Sequence, residues 1–216
     1  MQKYIDQFQK YWEQFSDSFK GDADQTQALY AILFAAYIEQ QRHYHTVQHI
    51  VECLKLFHQI KEQLDDPIAV ELAIWFHDAV YDPKASDNEA QSADLMQNLC
   101  STLFNQVQIK KVADWIMATK KHQPSSDLDL NYLLDIDLAI LGSDRKRFEE
   151  YEQQIQQEYS WVEPDLYNIK RSEVLQYFYA MQPIYQTEYF QNILEKRAKN
   201  NLETTLLKFS NVEIKH

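Results

Sequence analysis

Three short stretches of this chain carry the residue types used in metal and acid–base chemistry, and they carry them where such residues are costly. The segment Pro67–Tyr81 is apolar on nearly every side and reads as a buried helix, yet it ends on His77-Asp78. An imidazole and a carboxylate in that setting need partners. Either they hydrogen-bond as a pair that ties two helices together, or they hold a metal ion. Asp137 raises the same question. In Tyr132–Leu141 the apolar stripe is Leu133, Leu134, Leu138 and Leu141, and Asp137 falls inside it. Asp135 stands about 200° away around the axis. A carboxylate aimed into a core requires a cation or several donors; capping a neighbouring helix is the ordinary alternative. The third stretch, Arg42–Ile50, sets His45 and His49 four residues apart, on one face of any helix that includes both. Imidazoles and carboxylates without thiolates suit Mn, Fe, Co, Ni or Zn, one ion or two, and suit Mg less because of its preference for oxygen.

Such residues need a rigid frame, and apolar residues recur at helical spacing nearly throughout. Helices are predicted at about 3–19, 24–40, 46–63, 67–80, 88–103, 105–121, 128–142, 144–160, 164–181 and 187–209, with a break at Lys20-Gly21-Asp22. Asp66-Pro67 supplies a cap and a first-turn proline, and Leu141-Gly142 reads as a helix stop. Only two glycines occur, too few for a sheet whose hairpin turns demand positive φ. The fold class is therefore all-α. At 216 residues the chain is expected to form a single-domain helical bundle, with a site-bearing core at about 30–142 and C-terminal helices at about 144–210. The longest non-helical pieces, His43–Thr46, Tyr81–Asp87 and His122–Leu128, contain or adjoin the candidate residues, as expected of loops on a helical scaffold.

The order His49, His77-Asp78, Asp137 resembles the H…HD…D pattern of the HD superfamily of metal-dependent phosphohydrolases. Local wording is similar to a bacterial branch of predicted HD phosphohydrolases. The matching pieces are Arg42-His43-Tyr44-His45 with His49-Ile50, then Trp75–Asp82 with Asn88-Glu89, then Asp135–Gly142, and last Ala198–Leu202. Together they reach from about residue 30 to residue 206. The resemblance implies an HD-type bundle with His49, His77, Asp78 and Asp137 as metal ligands. His45 is the alternative for the first place; His49 is preferred because it leads into the apolar helix Ile50–Phe57. It also implies hydrolysis of a small phosphorylated substrate, such as a nucleotide, by a water that the ion activates, with Asp78 or Glu89 taking the proton. Gln156 departs from the branch, where an arginine often stands before the equivalent of Glu158-Tyr159; Arg171 is the candidate to compensate. Three other readings stay open: a di-iron HD-type oxygenase, a catalytically inactive metal- or nucleotide-binding regulator, and a helical protein with structural histidines.

Around the proposed ligands, His45, Arg42, Lys84, His122 and Arg171 are candidate substrate contacts, the cations neutralising phosphate. Glu89 could serve a second ion, although Ser86–Glu89 also reads as a capping box. His122 could equally be a helix C-terminal histidine favoured by the dipole. His58 reads as lying on a polar face, and His216 as the terminus. The tyrosines and phenylalanines of Tyr167–Phe190 read as packing of the last helices, with a nucleoside pocket as the alternative. A net charge of -12 without a basic run argues against long nucleic acid as a partner. No apolar stretch is long enough for a bilayer, no signal-peptide run opens the chain, and Cys53 and Cys100 make no CxxC. A cytoplasmic protein without a membrane partner is expected.

Overall fold

The computed structural model describes residues 2–19 and 21–213, with the backbone alone at 210–213. Lys20 and His216 lie outside the described residues. Among those residues every regular element is helical, and no helix is long and apolar enough to cross a membrane. The chain divides into two compact units, one through Ile136 and the other from Asp137 onward.

The first unit is built from α1 (Gln2–Ser16), α2 (Ala23–Tyr37), α3 (Val47–Ile60), α4 (Pro67–Phe76), α5 (Asn88–Cys100), α6 (Gln106–Ala118) and α7 (Leu128–Asp137), whose last residue opens the second unit. Its centre is α4. Every residue from Ala69 to Phe76 is buried, as expected of a helix that is apolar all round. α1 turns Phe8, Trp12 and Phe15 to one side at helical spacing. Two of these rings meet Trp75 edge-on, Phe8 at 4.8 Å and Trp12 at 5.2 Å between centroids, a favoured arrangement for aromatic quadrupoles.

The start of α4 is held twice. Asp66 caps it from within, accepting from the Ala69 N–H at 3.2 Å. Asp129, 2% exposed at the start of α7, accepts from the N–H groups of Asp65 at 2.9 Å and Asp66 at 2.8 Å. Its end differs from the sequence expectation. The helix was expected to reach residue 80, but it stops at Phe76. The Ala79 N–H bonds the Phe76 carbonyl three residues back, and the Val80 N–H is taken by Ser92 Oγ at 3.0 Å. His77 and Asp78 thus stand in the turn beyond α4.

The second unit contains α8 (Arg145–Glu158), α9 (Pro164–Ala180), α10 (Glu188–Phe190) and α11 (Lys196–Glu213). It opens with a 3-10 stretch, Leu138–Gly142. A side chain at Gly142 would come within 2.7 Å of Leu194 Cβ, so its hydrogen is a packing requirement as well as a helix stop. Asn201 donates to the Leu141 and Ser143 carbonyls, and Arg197 to Gly142, closing the stretch. Tyr167 and Tyr185 are buried among these helices, whereas Tyr177 is 44% exposed.

One buried residue of α4 is out of character. Glu71 is 8% exposed, and its Oε1 has no hydrogen-bond partner. Burial pushes its carboxyl up to about 8, despite opposing pulls from Trp75 and Lys61. Because the folded value lies above the unfolded one, stability is retained below about pH 4.5 and lost as pH rises towards 8. Glu71→Gln should therefore gain melting temperature over the parent progressively from pH 4.5 to pH 8 and hold that gain above it. Calorimetric melts at pH 4, 6, 8 and 9 check this; a constant difference would contradict it.

Candidate metal centre

Three side chains converge at the C-terminal end of α4. His49, on the first turn of α3, places Nε2 at 3.1 Å from His77 Nε2 and 3.4 Å from Asp78 Oδ2. His77 Nε2 lies 3.1 Å from the same carboxylate oxygen. Both imidazoles are 2% exposed, while Asp78 keeps about a fifth of its side chain accessible. His77 Nδ1 is 3.0 Å from the Ile74 carbonyl and donates to it, which turns Nε2 toward the cluster. Two imidazole nitrogens this close must share a proton or face a common cation. These three residues could hold a metal ion, and the backbone carbonyl orients His77 as second-layer partners orient ligating histidines.

Local sequence explains the placement. Thr46 caps α3, so the helix begins at Val47 and its first turn carries His49 inward, with Ile50, Val51 and Leu54 packing the same buried helix. Burial works to raise the Asp78 carboxyl. His77 and His45 beside it, with hydrogen bonds from His49 and His77, outweigh burial and hold it well below the usual carboxylate range. Cys53, one turn along α3, sets its sulfur 3.7 Å from His49 Nδ1. The sequence reading gave that cysteine no role; its spacing of four from His49 was the available signal.

His45 is half-buried at the rim, stacked on Tyr81 at 4.1 Å and 6.0 Å from the His49 ring. Of the two histidines it is therefore His49 that shares the cluster with His77 and Asp78. Arg42 turns inward. Its side chain is fully buried, and it donates to the carbonyls of Asp78 at 2.6 Å, Ala79 at 3.0 Å and His45 at 3.2 Å, and to Glu39 at 2.8 Å. The guanidinium also lies over the rings of Tyr37 and Tyr81. With its donors engaged, it positions the His77-Asp78 turn and the His45 loop and is not placed to meet a phosphate.

Among the described residues, neither Glu89 nor His122 joins a group that could hold a metal ion. Lys84 is exposed on the loop before α5. Glu89 pairs with Lys120 at 3.2 Å. The capping box does not form: Asp87 takes the cap position, and Asn88 exchanges hydrogen bonds with the Asp82 backbone. His122 follows α6 at φ 50, its N–H bonded to the Ala118 carbonyl, which fits a residue that closes a helix. Asp137 is half-buried and in electrostatic reach of Tyr151 within the second unit. Arg171, in that unit, is 7% exposed and bound to Glu152 at 2.5 Å, over the Tyr151 ring, so it too is engaged internally.

Against protein-family models, curated proteins and solved structures, the chain has no match. The affiliation suggested by the sequence blocks accordingly rests on those blocks.

Arg42→Lys keeps the charge but loses the planar fork. It should destabilise the chain by roughly 2 kcal/mol, since at least one buried carbonyl goes unpaired. The shift of the urea midpoint measures this, and an unchanged midpoint would deny the positioning role.

Proposed function

We propose that the chain is a metal-dependent phosphohydrolase acting on a small phosphorylated molecule. The observation that carries the reading is the convergence of His49 Nε2, His77 Nε2 and Asp78 Oδ2 within 3.4 Å of one another beside a partly open carboxylate. Two buried imidazoles and a carboxylate supply nitrogen and oxygen donors that fit Mn, Fe, Co, Ni or Zn. Asp137 joins them as fourth ligand on the strength of the sequence pattern. When bound, a divalent ion polarises a phosphoryl oxygen and acidifies water.

The remaining work falls to the chain's own groups. His77 is kept in the ligating tautomer by the Ile74 carbonyl. Asp78, ionised and partly accessible, can orient a water and take its proton through its second oxygen. His45, at the rim, and Lys84, exposed on the neighbouring loop, are the groups left to meet phosphate oxygens. A single ion is the reading favoured over a di-iron oxygenase, because Glu89 is paired with Lys120 and His122 closes α6.

Elemental analysis of the parent beside His77→Ala and Asp137→Ala provides the test. Near-stoichiometric transition metal in the parent, lost from both variants, is expected. Nucleotide and phosphoester turnover with Mn, Co, Ni or Mg should then disappear in the same variants. A parent that takes up no metal on reconstitution, with both variants folded, would sink the reading.

A further inference from the structure

In the second unit, α9 carries apolar residues on two sides. Tyr167, Arg171 and Leu175 are buried, and the helix packs along α11 of the same unit. On the other side Leu166, Ile169, Val174 and Tyr177 are each more than two-fifths exposed. Single exposed apolar residues are ordinary, but four on one helix form a patch of the kind that marks an interaction surface. Two charges stand at its centre, Lys170 and Glu173, paired at 2.8 Å and both more than half exposed.

The order of these six residues says what covers them. At about 100° per residue, Leu166, Lys170, Glu173 and Tyr177 fall within about 60° of arc, with Ile169 and Val174 flanking them on either side. From either end the face runs apolar, apolar, charge, charge, apolar, apolar, symmetric about the bond between Arg171 and Ser172. That bond is also level with the middle of Pro164–Ala180. A two-fold axis at this level sets the helix antiparallel on its own copy. Leu166 then faces Tyr177 of the second copy, and Lys170 comes within reach of its Glu173, so apolar residues are covered and each charge meets its opposite. A parallel pair would bring lysine to lysine and glutamate to glutamate, which is repulsive. The face carries one charge of each sign, so it offers neither an anionic membrane nor a nucleic acid the excess of cations that each requires.

We propose that this face of α9 pairs two copies of the chain, antiparallel about a two-fold axis. The inference is independent of the metal centre. One helix face per copy is a small contact, so the pair is reversible, with a dissociation constant on the order of tens of micromolar.

Sedimentation equilibrium of the whole chain, from well below that concentration to tenfold above it, tests the proposal. A monomer–dimer equilibrium is expected. Lys170→Glu and Glu173→Lys each set like charges across the axis, and each should weaken association at least about tenfold. The double variant Lys170→Glu/Glu173→Lys should return to within about threefold of the parent, the signature of a direct pair. An equimolar mixture of the two single variants should form a heterodimer, and Leu166→Asp should stay monomeric. A parent that is monomeric throughout leaves the face to another partner and overturns the proposal. A dimer whose affinity the single variants leave unchanged uses another face and overturns it too. Should a single variant fail to fold, a monomeric double variant or a dimeric Leu166→Asp decides against the pairing.

Discussion

A buried guanidinium holds the candidate centre in register. Arg42 sits where α4 has run out of backbone partners, at a helix end whose carbonyls lack intrahelical donors. The Asp78 and Ala79 carbonyls need N–H groups, and a charge buried to this depth needs acceptors, so each satisfies the other. The same side chain reaches the His45 carbonyl and lies between the rings of Tyr37 and Tyr81. The two loops that carry candidate residues are therefore fixed by one fork. Removing it would leave carbonyls on both without partners in a region closed to water.

α4 concentrates the expense of the fold. It is almost wholly buried, and the segment that contains it carries three ionisable groups, Glu71, His77 and Asp78. The pair at the end is embedded in partners: Ile74, His49 and the Arg42-bound turn. Glu71 has no such company at Oε1. The contrast is physical as well as positional. Opposite charge and hydrogen bonds hold the Asp78 carboxyl down, whereas at Glu71 burial outweighs the pulls of Trp75 and Lys61. One lies within this helix and the other in the turn just beyond it.

Much of the frame was legible in the residues. Periodicity located the helices because each buries a stripe, and Asp66-Pro67 marked the start of α4 because a cap and a preset φ act locally. The end of α4 was not legible. It depends on Arg42 and Ser92, distant in sequence, capturing backbone groups that a longer helix would have paired internally. Arg42 and Arg171 were expected at a phosphate because charge in a sequence does not declare its burial; both proved to be internal. The capping box at Ser86 lost to Asp82, whose backbone draws Asn88 into reciprocal bonds. Asp129 carried no signal either, since the N–H groups it accepts from lie more than sixty residues earlier.

The Asp129 contact gives α4 a fixed origin. Its carboxylate pins the two residues just before the helix from outside, while Asp66 caps the helix from within. From that origin ten residues lead to His77, a span of about 15 Å at 1.5 Å per residue. The helix thus behaves as a ruler with one end clamped. One residue inserted along it would carry His77 forward by about 1.5 Å and swing it by about 100°, away from His49. Length and phase here are a single quantity, so α4 can vary in composition far more readily than in its number of residues.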